Sequence, residues 1–241
     1  MNLNDIPYYD LGIDLDLTTL KKETKTILDK FETKDYSSRF FLARKKYKKA
    51  WSGVSLWGSN GELYSDLSEG DYVGENKPTM LESYAPYMFS VIEKIYGKSP
   101  KSRVRLMRIR PGKSLLWHSH VQEHGQDENE LTIQIPINLP KGFKYCVVDK
   151  DEFSWYKRLY PPSWFKSAQC FELEEGRAYY FNSYHYHNVY NNSKEWRDTI
   201  MFYIDYNHKD IKKIFGNKKN ISSHGNIGNN EEVHRLVRED R

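Results

Sequence analysis

The chain has 241 residues, enough for one domain with a sizeable core or for a domain with a tail. Apolar residues make up 38% and aromatics 15%, with 19 Tyr and 6 Trp, which excludes a disordered protein and suits a β-rich fold lining a cavity. The net charge of +4 is too small to point to nucleic acid, and no stretch approaches the ~18 apolar residues of a membrane helix.

Cys146 and Cys170 lie far apart without a C-x-x-C spacing, so neither a disulfide framework nor a thiolate zinc site is expected, and a cytoplasmic setting is the default. The first residues show no basic region followed by an apolar run, the pattern of a secretory signal. Residues 1–16 are short apolar and acidic pieces that read as extended. A helix is expected over 18–31, because Leu20, Thr24, Ile27, Leu28 and Phe31 share one helical face, with Asp16 or Thr18 as its cap. The basic run at 44–49 could attract an acidic substrate or nucleic acid, but such a run is more often a solvated strand edge or loop. Residues 51–57 read as a buried strand ended by Gly58 and Gly61, and 62–83 as a long loop of the lid or binding type. A second helix is expected over 86–96, with Pro86 in its first turn and Gly97 just past its end.

From residue 103 the period changes to that of strands: 103–110, 115–121, 130–138, 143–148, 169–173, 177–182, 187–190 and 197–205. About eight short strands with turn signals between them indicate a sandwich or barrel. The clearest is 130–138, where Leu131, Ile133, Ile135 and Ile137 alternate with Thr132, Gln134 and Pro136. Its Leu/Ile face is expected to pack on the other layer, leaving Thr132 and Gln134 toward a polar cavity. A loop rich in Trp, Tyr and Pro (153–165) could wall that cavity. The tail from 207 holds a small helix candidate at 210–215 and a charged amphipathic piece at 231–241.

His118 and His120, at i and i+2 on a strand, face the same way and could share a metal with His187 from another strand. Three protein ligands on one face leave positions open, which is the logic of non-haem iron oxygenases. Asn191-Asn192-Ser193 is turn chemistry, and a hairpin there would pair residue 187 with residue 197. Arg197 would then reach the same cavity, where a buried guanidinium matches a carboxylate. Each residue has a plainer alternative. Glu123 could supply the third ligand, His185 could face the substrate or support His187, and Arg197 could pair with Glu172 or Asp198.

R-V-R-L-M-R-I-R-P-G-K-S-L-L-W-H (103–118) resembles the aspartyl/asparaginyl β-hydroxylase group of 2-oxoglutarate-dependent oxygenases. So do L-T-I-Q-I-P-I-N-L-P (131–140), G-R-A-Y-Y-F-N (176–182) and H-N-V-Y-N-N-S-K-E-W-R-D-T-I-M-F-Y-I-D (187–205). The resemblance implies a mainly β fold, a double-stranded β-helix of the jelly-roll or cupin-like kind. Its core would span about 100–206, with N-terminal helices and first strands over 1–99 and a partly helical tail at 207–241. It also implies His118 and His187 on Fe(II), Arg197 on the distal carboxylate of 2-oxoglutarate, and Thr132 and Gln134 beside the cosubstrate. Trp117, His185 and Asn182 would face the substrate or support the ligands. The implied activity is hydroxylation of an unactivated C–H bond of an amino acid or peptide side chain, using O2 and releasing succinate and CO2. No catalytic residue is expected beyond those of the metal and cosubstrate.

One position departs from the group. Many members carry H-x-D at the first motif and some H-x-G, whereas this chain has His118-Ser119-His120. Either three histidines bind the metal or two suffice with water. The departure keeps two other readings open: a cupin-like three-His metalloenzyme that does not use 2-oxoglutarate, and a non-catalytic binding barrel. Neither the substrate nor the oligomeric state is legible.

Overall fold

The computed structural model describes residues 8–35, 50–65, 74–97, 104–115, 117–118, 130–148, 168–183 and 185–205. The basic run at 44–49, His120, Glu123, the loop at 153–165 and the tail from 207 lie outside the described residues.

Two helices and twelve strands are seen among them. Helix α1 (Leu17–Lys30) starts where Asp16 accepts the Thr19 N–H at 3.1 Å, and its buried stripe includes Leu20, Thr24 and Ile27. Helix α2 (Pro86–Tyr96) has Pro86 in its first turn and ends at Gly97, whose φ of 101° suits a residue without Cβ. No side chain of its own caps α2. Instead the buried Glu23 of α1 accepts the N–H groups of Tyr87 (2.9 Å) and Met88 (2.8 Å), placing a carboxylate at the positive end of the helix.

The strands are β1 (Tyr8–Asp14), β2 (Lys34–Asp35), β3 (Trp51–Ser59), β4 (Asn76–Pro78), β5 (Val104–Ile109) and β6 (Lys113–Ser114). They continue with β7 (Glu130–Asn138), β8 (Phe143–Val148), β9 (Gln169–Phe171), β10 (Arg177–Phe181), β11 (Tyr186–Asn191) and β12 (Arg197–Asp205). A major sheet runs in the order β1-β10-β7-β12-β5-β3-β2, with β4 paired to β3, and a minor sheet runs β6-β11-β8-β9. All their pairings are antiparallel. The stretch expected as a loop over 62–83 is therefore partly structured: β4 extends the major sheet, and Met80–Ser83 forms a 3-10 turn capped by Thr79.

Alternation decides what each sheet face meets. On β7, Ile133, Ile135 and Ile137 are fully buried in one cluster with Leu20 and Ile27 of α1 and with Met88, Phe89 and Ile92 of α2. Burying each contributes about 1.5–3 kcal/mol, an upper figure for an extended reference chain. The layer covering this face is thus helical, not the second sheet. The opposite face of the major sheet meets the minor sheet: Ile109, Tyr179 and Phe181 cluster with Phe143, Tyr145, Val147 and Val189.

Two expectations are overturned. β11 and β12 do not form a hairpin, since β11 belongs to the minor sheet and β12 to the major sheet. The chain changes sheets across 192–196, and the Asn191 amide holds the corner by donating to the carbonyls of Ile109, Arg110 and Glu195. Cys146 and Cys170 are also not unpaired. They stand opposite each other across β8 and β9 and form a disulfide, so the case for a reducing compartment from unpaired cysteines lapses. No described helix is long and apolar enough to cross a membrane.

Candidate metal and dicarboxylate site

His118 and His187 meet by backbone pairing. The His118 N–H donates to the His187 carbonyl at 3.1 Å and the His187 N–H to the His118 carbonyl at 2.9 Å, so the two residues stand directly opposite. Their rings lie 4.3 Å apart between centroids, inclined at 51°. His187 faces the interior between the sheets, on the same side of β11 as Val189. Its Nδ1 lies 2.9 Å from the His185 carbonyl, which fixes the tautomer with Nδ1–H donating and the lone pair on Nε2. Burial first, and then the neighbouring His118, hold the His187 imidazole well below its usual pKa, so it stands neutral, as a metal ligand must.

Arg197 opens β12 on the facing sheet and is 2% exposed. Its Nη2 donates to Gln134 Oε1 at 2.8 Å and its guanidinium lies over the Phe143 ring at 4.9 Å. Among the described residues its Nε has no acceptor. Burial pulls its pKa down to about 9, with Asp198 and then Tyr145 pushing back. Asp198 itself pairs with Arg108 Nε at 2.6 Å, so it is not the side-chain partner of Arg197. A buried guanidinium held by a neutral amide and an aromatic face is one that an anion would stabilise. Thr132 and Gln134 share its side of β7, and Thr132 Oγ1 is buried without a partner among the described residues.

Tyr145 connects the two halves, and sequence reasoning did not single it out. It is 1% exposed, its ring lies parallel to that of His187 within 10° at 5.8 Å, and its hydroxyl feels the charge of Arg197. Burial pushes its pKa well up and Arg197 pulls it down, so it stands as a neutral phenol. The available signal was the alternation of Phe143, Tyr145 and Val147, but a tyrosine on a strand is common in this chain.

The other expected residues fall as follows. His185 is buried next to His187, and its N–H donates to the Asn182 carbonyl at 3.2 Å, so both shape the turn that supports His187. Trp117 does not line the space between the sheets. It packs on the other side of the minor sheet against Cys146, Cys170, Tyr186 and Tyr190, because it neighbours the inward-facing His118. Among the described residues no three His, Cys, Asp or Glu side chains converge. His118 and His187 fit two places of a metal site. His120 lies outside the described residues.

No family model matches the sequence, and no curated relative is found. Solved structures do superpose. HygX from Streptomyces hygroscopicus, solved with nickel, 2-oxoglutarate and hygromycin B bound, matches with TM-score 0.50 at 7% identity over 83% of each chain. SnoN, a non-haem α-ketoglutarate-dependent epimerase from nogalamycin biosynthesis, matches with TM-score 0.50 at 13% identity over 84% of this chain and 80% of its own. The fold is a double-stranded β-helix. In this double-stranded β-helix the minor sheet supplies the His pair through β11 and the segment after β6, and the major sheet supplies Arg197 through β12 and Thr132 and Gln134 through β7.

Proposed function

We propose that the protein is an Fe(II)- and 2-oxoglutarate-dependent oxygenase that hydroxylates an unactivated C–H bond of an amino acid or peptide side chain. The observation that carries this reading is the pairing, across one interior, of two opposed histidines with a buried arginine whose Nε meets no acceptor among the described residues. A metal alone would account for the histidines but not for the arginine. A dicarboxylate accounts for both, with one end on the metal and the other on Arg197. This argues against a three-His enzyme that does not use 2-oxoglutarate.

His118 and His187 would hold the metal through ring nitrogens, and His120 is proposed as the third ligand. Bound Fe(II) with 2-oxoglutarate and O2 would supply the oxidising power, with succinate and CO2 as by-products. The chain's own residues do the rest. The His185 carbonyl holds the His187 tautomer. Arg197, oriented by Gln134, would hold the distal carboxylate, and Thr132 Oγ1 could donate to the same end. Tyr145 and Phe143 exclude water between the two ends, which strengthens every charge interaction there. HygX binds 2-oxoglutarate and SnoN depends on α-ketoglutarate, which supports this cosubstrate.

Succinate release from 2-oxoglutarate, with added Fe(II) over a panel of amino acids and peptides, tests the reading. Turnover that requires Fe(II) and disappears in both His187→Ala and Arg197→Ala is expected. Turnover that survives both substitutions would refute the site.

A further inference from the structure

The Cys146–Cys170 disulfide lies directly behind the His pair. On β8, Cys146 stands opposite Cys170 of β9 on one side and Asn188 of β11 on the other. One position along, Val147 faces His187, and that pair is turned to the interior between the sheets. Alternation therefore puts both sulfurs on the outer face of the minor sheet. There they pack in one cluster with Trp117, Tyr186 and Tyr190. Trp117 and Tyr186 are the residues just before His118 and His187. Each histidine thus faces inward while its chain neighbour is packed on the disulfide. The bond also fixes β9, a strand of 3 residues that ends the minor sheet. On the inner face of β9, Phe171 stacks on Tyr8 at 4.6 Å and stands opposite Tyr145, whose ring parallels that of His187. The disulfide therefore supports the His pair from behind and, through β9, from the side. Both cysteines are buried, so a reductant meets the bond when the short edge strand opens locally.

We propose that this disulfide is a thiol-exchange site whose redox state sets the metal affinity of the His pair, with the oxidised chain as the metal-binding form. The proposal rests on the reading of His118 and His187 as metal ligands, and not on the reaction that follows. The partner is a dithiol reductant. Its first thiolate attacks one sulfur, breaking the Cys146–Cys170 bond and forming a mixed disulfide. Its second thiolate then displaces that cysteine. The reductant leaves as a disulfide, and the chain gains two electrons and two protons as two thiols. A disulfide oxidant runs the exchange backward. Without the cross-link, β9 and the packing behind Trp117 and Tyr186 loosen, and with them two imidazoles that must meet one cation. Losing such support around metal ligands typically weakens metal binding by about 10–100-fold. Linkage makes the effect reciprocal, so bound metal protects the disulfide from reduction by the same factor.

The test uses the full chain with Mn(II), a metal that thiols hold weakly, and saturating 2-oxoglutarate. Loss of the free Mn(II) electron-spin signal reads the affinity. It is measured for the disulfide-bonded chain, the chain reduced with a phosphine, and the Cys146→Ala/Cys170→Ala chain, with circular dichroism checking that each is folded. The reduced and doubly substituted chains should bind Mn(II) about tenfold or more weakly. Glu23→Ala, which removes the cap of α2 on the far side of the major sheet, should bind within about twofold of the unsubstituted chain. In glutathione redox buffers, alkylation and mass spectrometry follow the reduced fraction. Mn(II) should move the midpoint to a more negative potential, by about 30 mV for each tenfold in affinity. Equal affinity in the two redox states, or an unmoved midpoint, overturns the proposal whether or not the doubly substituted chain folds. So does tighter binding by the reduced chain, or outright unfolding on reduction, which would make the bond a structural one only. An equal loss in Glu23→Ala also overturns it, since the effect would then be one of global stability. If even the disulfide-bonded chain binds no Mn(II), the metal reading falls and the proposal with it, whereas equal binding in both states removes the proposal alone.

Discussion

Arg197 carries opposite consequences in two states of the protein. Without an anion, its charge is buried against an amide and a ring, and burial already lowers its pKa to about 9. Replacing such a group by an apolar one of similar volume is often neutral or stabilising. Arg197→Met should therefore leave the melting temperature of the apo protein unchanged or raised, while weakening 2-oxoglutarate binding by about 30-fold or more, the equivalent of about 2 kcal/mol. Differential scanning fluorimetry and calorimetric titration check the two halves separately. Loss of apo stability together with unchanged affinity would reverse both.

His187 makes a pH prediction. Its folded-state pKa is held well below the usual 6.5, chiefly by burial, so the native state resists a proton that the unfolded chain accepts. The stabilising contribution is fully present above about pH 6.5 and is lost as pH falls toward the lowered native value, with a limiting slope of about 1.4 kcal/mol per pH unit for one proton. Urea unfolding of the apo protein between pH 7.5 and pH 5 should show that slope, and His187→Gln should flatten it. Metal affinity of the native site should hold over that range and fall only as pH approaches the lowered native value, where protons begin to compete for Nε2.

The elements show which parts of the structure are local. β7, β8, β12 and α2 have the bounds their own residues indicate, because alternation at Ile133, Ile135 and Ile137, and Pro86 and Gly97 around a helical stretch, are signals read within a few residues. The turn at Asn191-Asn192-Ser193 is different. The same residues suit a hairpin or a change of sheet, and the choice is made by Asn191 reaching Ile109 and Arg110, more than 80 positions away. Cys146 and Cys170 were equally hidden, since only the β8–β9 register brings them opposite. The site divides on the same line. His118, His187 and Arg197 stand in recognisable local runs, whereas Tyr145 gains its place from rings and charges on three other strands.

Two predictions belong at this scale. Glu23→Ala removes both acceptors at the start of α2, so it should destabilise the fold by about 1–3 kcal/mol in urea unfolding. A change under a few tenths would mean that α2 is capped otherwise. Reducing the Cys146–Cys170 bond, which spans a sequence separation of 24, should lower stability by about 3 kcal/mol on the chain-entropy model. Unfolding with and without dithiothreitol measures this, and identical midpoints would argue that the bond does not form.

At the scale of the whole molecule, the proposed function makes the two sheets two halves of one binding device. The minor sheet holds the His pair, the major sheet holds Arg197, and the Asn191 corner sets their spacing. A ligand that bridges both sheets should stabilise the fold as a unit, by about 4 kcal/mol at a thousand times its dissociation constant. Neither metal nor dicarboxylate alone bridges them, so their effects should exceed the sum of the separate ones. The most direct measurement is anaerobic calorimetric titration of 2-oxoglutarate into the full chain with and without Fe(II). Binding of one 2-oxoglutarate per chain that requires Fe(II), and that weakens in both His187→Ala and Arg197→Met, is the predicted result. Binding that is absent, or that is equally tight without the metal, would contradict a site that joins the His pair to Arg197 through one bound dicarboxylate.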